Sequence, residues 1–394
     1  MLANFARFVN ARMLLSFNME NAYTWIELSK KALKNNLGLL KSRAIGQKLV
    51  IPVKGNAYGH GMIEVSKMLV EEGIEWLAVT NMNEARELRE EGVQVAIMLF
   101  SSPSPAEYEL VVTYDVTIIA HDLDVARGVS ETAVQMKRSV NVHVEIDTGM
   151  SRQGQVVEGI DPFVDELILL PGIKVTGLMT HFATSYDLSE SGRSYFKTQL
   201  QSFREISSRI KSRHTSIVDL HCSNSGAMLT EDLDDMTMAR PGIAAYGLWP
   251  SSDVRNASNI ELEPVLSWKT RVMQVKGLND GVFISYGCTY RTNKRTRVAI
   301  LPVGHYDGIF MSLSNSGYVL INGKRAQILG SVCMNHTVVD ISEIDADVGD
   351  EVVLIGNQGN EAISADDHAQ WANTINYECV TRLARHVKRV VINS

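Results

Sequence analysis

Eight short apolar runs, rich in β-branched residues and separated by amphipathic stretches, fill residues 48–240 and restrict the fold more than any other feature. They are KLVIPV (48–53), IEWLAVT (74–80), VQVAIMLF (93–100), DVTIIA (115–120), VNVHVEID (140–147), IKVTGLMT (173–180), SIVDLHCSN (216–224) and MTMAR (236–240). Runs that stay apolar, rather than alternating, suit strands covered on both faces. Between them, NEARELREEG and FKTQLQSFREISSRIKSRH carry the spacing of helices. Eight such units in roughly two hundred residues predict a (β/α)8 barrel. A doubly wound open sheet shares the alternation, but no GxGxxG follows the first strand.

After Pro250 the pattern changes. SSDVRNASN has the composition of a linker, and PVLSWKTRVMQVKGL, DGVFISY, TRVAILPVG, SGYVLINGKRAQILGS, TVVDIS and DEVVLIG follow at short intervals. Strands so closely punctuated by turn residues predict a mostly-β domain, and only ADDHAQWANTINYECVTRLARHV is helical in pattern. The expected organisation is an N-terminal extension (1–22), a barrel (23–254) and a C-terminal β domain (255–394).

A net charge of −7 on 394 residues argues against nucleic acid as a partner. No apolar run has the length needed to cross a bilayer. Cys222, Cys288, Cys333 and Cys379 are widely spaced, without CxxC or zinc-ligand spacing, so reduced thiols in a cytoplasmic compartment are expected. The opening MLANFARFVNARMLLSFN carries Arg7 and Arg12 and no acid, as a weak transit peptide or amphipathic anchor would. Met13 and Met19 offer later starts, so an over-long reading frame accounts for it equally well.

In a parallel barrel the chemistry gathers at the carboxyl ends of the strands. Those ends supply Lys54 and Tyr58 in VKGNAYGHG, Arg152 in DTGMSRQG, His181 in THFATSYD, Asn224 and Ser225 in HCSNSG, and Arg240 in ARPGIAAYG. Taken singly, each has a bland reading: a snorkelling lysine, a solvated arginine, a hydrogen-bonded core histidine, ordinary turns. Their convergence favours a site. A lysine amid glycines and small polar groups suits an aldehyde cofactor held as a Schiff base, with its phosphate on backbone N–H groups. Pyridoxal 5'-phosphate (PLP) is the cofactor so implied, although an aldolase using its own lysine fits the same residues.

VKGNAYGHG resembles the PLP-lysine signature of the alanine racemase family, and DTGMSRQG, THFAT, NSGA, RPGIAAYG, SYGCTY, VGHYDG, CMNH and TINYE continue the resemblance in order from Trp25 to Arg389. The resemblance implies a barrel followed by a β domain, a homodimer with shared active sites, a small amino-acid substrate and the D-alanine used in peptidoglycan. It assigns Lys54 to PLP and to one of two acid/base roles, and Tyr286 of the partner subunit to the other. A phenol ordinarily ionises near pH ~10, so an active tyrosinate needs nearby positive charge, which His181 and Arg240 would supply. Arg240 would also face the pyridine nitrogen, where it cannot accept a proton. Tyr58, Ser225, Gly242, Ile243 and Tyr377 match the phosphate cradle, with Asn224 beside them. Arg152 matches the residue touching the phenolate and the substrate carboxylate, and Met334 should also face that carboxylate.

The chain departs from the family pattern at several of these segments. Glu145 stands where a carbamylated lysine is usual, and is expected to pair with Arg152 as a ready-made anion. His305, Met311, Ser331 and Asn335 replace a tyrosine, two arginines and an aspartate, and so imply tolerance of substrates such as serine. Two other readings share parts of this pattern. A PLP-dependent decarboxylase of similar architecture generally needs a cysteine–aspartate pair that SVCMNH lacks. A non-catalytic PLP-binding protein is typically a barrel alone.

Overall fold

Each of the eight apolar runs becomes a parallel strand. In the computed structural model, which describes residues 23–393, they are β2 (Lys48–Pro52), β3 (Trp76–Val79), β4 (Ala96–Leu99) and β5 (Val116–Ala120). They continue as β6 (Val140–Asp147), β8 (Ile173–Met179), β9 (Asp219–His221) and β10 (Met238–Ala239), with the two-residue β7 (Gln155–Val156) appended to β6. The extension expected at 1–22 lies outside the described residues.

The strand order is β10-β2-β3-β4-β5-β6-β8-β9. Backbone bonds from Thr237 N to Leu220 O (2.9 Å) and from Arg240 N to Ser223 O (3.3 Å) bring β9 back beside β10. The sheet is thereby rolled into a nearly closed barrel, which sets aside the open-sheet alternative. Val50, Ala78, Met98, Ile119, Met179 and Met238 fill its interior, one from each of six strands. Leu49, Ile51 and Val53 point the other way, into the layer shared with the helices. Those helices start where short polar side chains satisfy the free N–H groups of the first turn. Ser29, Asn81 and Ser189 accept from Ala32, Glu84 and Gly192 at the heads of Lys30–Arg43, Met82–Glu90 and Glu190–Arg213.

The segment SSDVRNASN, with the composition of a linker, contains a short helix, Ser252–Ala257, capped by Ser251. Beyond it a second sheet runs in the order Lys324–Gln327, Tyr318–Ile321, Glu351–Gln358, β11 (Leu266–Arg271), β1 (Thr24–Ser29), Lys388–Ile392. β1, which precedes the barrel in the chain, therefore belongs to the sheet of the C-terminal region. It is antiparallel to β11 and parallel to Lys388–Ile392. A three-stranded sheet (Gln274–Leu278, Thr296–Leu301, Thr337–Asp340) and a two-stranded one (Phe283–Ile284, Tyr290–Arg291) complete the β region.

Candidate active site

The turn after β2 is the most strained segment of the site. Gly55, Asn56, Ala57 and Tyr58 take φ of 62°, 57°, 53° and 52°, four left-handed residues in succession, three of them with side chains. Each non-glycine residue in that region costs about 1 kcal/mol or more, so neighbours must hold the turn. Glu84, buried on the helix Met82–Glu90, does so from one side: its Oε1 accepts from Gly55 N (2.8 Å) and its Oε2 from Thr80 N (3.0 Å). Asn56 Oδ1 accepts from Met62 N (2.9 Å), starting the helix Met62–Glu71. From the β region, Arg389 Nη2 donates to Gly59 O (2.7 Å). The strain fixes the direction of Lys54, whose side chain lines a cavity of about 550 Å³ at the carboxyl ends of the barrel strands.

That cavity unites most residues expected from the sequence. Tyr58, Arg152, His181, Asn224 and Ser225 line it with Lys54, and Arg240, Gly242, Ile243 and Tyr377 complete the group. Ser225 Oγ accepts from Gly242 N (2.9 Å) and Ala244 N (3.2 Å), which fixes the backbone expected to cradle a phosphate. A Cβ at residue 242 would stand 2.9 Å from the Tyr58 hydroxyl, so glycine there keeps the cradle open. Asn224 acts as a helix cap, its Oδ1 accepting from Ala227 N (3.1 Å) and Ser185 Oγ (2.6 Å).

Electrostatics works against the charged form of Lys54. Burial lowers its proton affinity, and the Arg152 and Arg240 charges lower it further, with Glu84 opposing them. His181 is pushed down to about 3 by burial and by Arg240, Arg152 and Lys54, so it is a neutral imidazole. Arg240, 3% exposed, donates from Nη1 to His221 Nδ1 (2.8 Å) and from Nη2 to Thr180 O (2.8 Å) and His181 Nδ1 (3.3 Å). Arg152 is exposed on the cavity wall, with no hydrogen-bonded or ion-paired partner among the described residues.

The expected Glu145–Arg152 pair does not form. Glu145 Oε2 instead accepts a hydrogen bond from His121 Nε2 at 2.9 Å, and His121 Nδ1 faces Ser102 Oγ at 3.2 Å. The carboxylate is held by the neighbouring strand end, with Arg240 and Arg152 near enough to offset part of the rise in its proton affinity caused by burial.

Tyr286 and Met334 are not brought to Lys54. They line a separate concavity of about 620 Å³ in the β region, with His305, Met311, Ser331 and Asn335. Tyr286 is 76% exposed and lies on a turn rather than in a strand, between Ser285 (φ 65°) and Gly287 (φ 72°). Ser331 secures that turn: its Oγ donates to Tyr286 O (2.8 Å), and its own carbonyl accepts from Ser285 Oγ (2.5 Å).

Sequence reasoning missed Glu84, His121, His143 and His221. Each sits inside an ordinary helix or strand pattern, and only the barrel brings them to the site. The described residues contain no His/Cys/Asp/Glu group fit to hold a metal, and no helix among them is long and apolar enough to cross a membrane.

Comparison with known proteins agrees with this architecture. The family model for the alanine racemase N-terminal domain matches residues 28–250, and that for the C-terminal domain matches 265–391. An alanine racemase of Halothermothrix orenii is 42% identical over 369 residues, covering 93% of this chain and 96% of its own. Among solved structures, alanine racemase of Clostridium difficile 630 superposes with TM-score 0.87 at 33% identity, covering 94% of this chain and 96% of that one. Alanine racemase of Bacillus anthracis with bound L-Ala-P gives 0.88 at 32% identity, covering 94% and 95%. Over both its barrel and its β region, the chain belongs to the alanine racemase family.

Proposed function

We propose that the protein interconverts L- and D-alanine with PLP held at Lys54, in a homodimer whose two sites each borrow Tyr286 from the other subunit. The observation that carries this reading is the division of the machinery. Lys54 faces a cavity lined by Arg152 and Arg240, while Tyr286 stands exposed on a secured turn that lines a different concavity. An exposed phenol held so firmly suits a group that works on a second copy of the chain.

The residues around Lys54 fit the cofactor: an amine with lowered proton affinity, an open glycine at 242 and a neutral histidine beside an arginine. When bound, PLP supplies an electron sink for charge developing at the substrate Cα. Tyr58, Ser225, Gly242, Ile243 and Tyr377 would hold its phosphate, Asn224 would brace that cradle, and Arg240 would face its ring nitrogen. Arg152, free of other partners, would orient the substrate carboxylate, with Met334 of the partner subunit beside it. Lys54 Nζ moves a proton at Cα on one face and Tyr286 Oη on the other. Inversion requires this, because a single base returns the proton to the side it left. D-Alanine made in this way would enter peptidoglycan assembly in the cytoplasm.

A second substrate range has its own support. Among the described residues, the side chains around Tyr286 (His305, Met311, Ser331, Met334, Asn335) include no lysine, arginine or carboxylate, so the approach to the site suits other small uncharged side chains, serine first. Proton exchange in heavy water with L-alanine, L-serine and further L-amino acids tests both readings on the wild type and Tyr286→Phe. Deuterium at Cα with the D-enantiomer accumulating, and loss of exchange from one enantiomer in the variant, is the expected result. Cofactor absorbance without Cα exchange would defeat racemisation, and exchange of alanine alone would defeat the broader range.

A further inference from the structure

Behind Arg240 a line of buried imidazoles leads back toward the opposite end of the barrel. His221 on β9 and His143 on β6 are both fully buried, and Gly177 on β8 leaves room for the second ring: a Cβ there would stand 2.6 Å from it. The hydrogen bonds dictate the tautomers. Arginine only donates, so His221 Nδ1 must accept from Arg240 Nη1 (2.8 Å). His221 Nε2 then carries the proton and donates to His143 Nδ1 at 2.7 Å. His143 Nε2 in turn carries its proton, has no hydrogen-bond partner among the described residues, and lies 4.0 Å from Asp219 Oδ2. Asp219 Oδ1 is bound at 2.9 Å to Lys48 Nζ, which rises from the first residue of β2 and is partly exposed.

Every N–H in this line points the same way, from the arginine toward the carboxylate. Bonds so aligned polarise one another in a low-dielectric interior. The other charged or titratable groups facing the line gather at its Arg240 end: Glu145, Arg152, His181 and Cys222.

We propose that Asp219, His143 and His221 are positioning residues that temper the positive charge Arg240 presents to the cofactor ring, and that Lys48 opposes them from the outer end. The inference rests on the reading that PLP is bound at Lys54. Removing the carboxylate should leave Arg240 more strongly cationic, and removing Lys48 should do the reverse.

The test is the pH titration of bound-PLP absorbance in the holoenzyme, measured with kcat and KM for L-alanine. Asp219→Asn should move the spectral midpoint down, because a more positive surrounding disfavours a protonated cofactor, and should lower kcat about 3- to 30-fold with little change in KM. Lys48→Met, at a partly exposed position, should move the midpoint up. In a His143→Gln background, Asp219→Asn should no longer shift it. Midpoints unmoved in both single variants, moved in the same direction, or still shifted in the His143→Gln background would overturn the proposal. A wild type without cofactor absorbance or racemisation would instead fail at the functional reading, and the relay would fall with it.

Discussion

The backbone at Gly59 runs so close to Val380 that a Cβ on residue 59 would stand 1.7 Å from the Val380 carbonyl oxygen. Gly59 also takes φ of 80°, a conformation that penalises side chains. The turn after β2 is thus pressed directly against a helix of the β region, Asn376–Thr381. Gly59→Ala should destabilise the protein by about 3 kcal/mol or more, by the combined cost of clash and strain. It should also weaken PLP binding, since the turn carrying Lys54 and Tyr58 must shift. Parallel measurement of thermal midpoint and PLP affinity checks this, and an unchanged pair of values would refute it.

Acid should unfold the protein early. Burial pushes His60, His143 and His368 down to about 4 and His181 down to about 3, and lowers His221 as well. In the unfolded chain each would bind a proton below its ordinary value near pH 6.5. The unfolded state therefore binds more protons as the pH falls from about 6.5 toward 4, and stability drops across that window by about 1 kcal/mol per pH unit for each such histidine. Urea midpoints should fall steeply between those pH values and stay flat from pH 7 to 8.

Glu145→Ala should leave His121 Nε2 without its partner at a nearly buried position. A loss of about 1–3 kcal/mol in stability follows from that orphaned donor. Slower turnover should accompany it, because the cavity would keep its arginines and lose an anion. Wild-type activity should be the same in carbon-dioxide-depleted and bicarbonate buffers. Full activity and an unshifted melting point in the variant would show the pair to be idle.

Mixed dimers test whether sites are shared. Lys54→Ala and Tyr286→Phe should each be inactive in at least one direction. Dissociated together and reassociated at random, they should recover about a quarter of wild-type activity, since half the dimers then hold one intact site of two. No recovery, with exchange of subunits verified by mass, would place both bases on one chain.

The barrel was legible because its strands are covered on both faces, and KLVIPV or VTIIA can hardly be anything else. The residues at their ends were legible too, since a parallel barrel places them together whatever lies between. TWIELS carries no such signal, and only its pairing with Leu266–Arg271 on one side and Lys388–Ile392 on the other assigns it to the second sheet. Glu145 and Arg152 sit seven positions apart by numbering, yet the pair expected from that spacing lost to His121, which the adjacent strand end brings within 2.9 Å. His143 and His221 gave no sign of acting together, because strands distant in sequence meet only when the barrel closes.

β1 ends up clasped between β11 and Lys388–Ile392, with Trp25 opposite Lys388 and Ser29 opposite Ile392. During synthesis this first strand must therefore leave the ribosome long before its neighbours exist. The whole barrel can form in the interval, while β1 remains an unpaired apolar edge of the kind that recruits chaperones or sticks to other chains. Lys388–Ile392 thus acts as the latch of β1. A nascent chain stalled just before Lys388 should hold a folded barrel with an open seam, and PLP capture should wait on Lys388–Ile392.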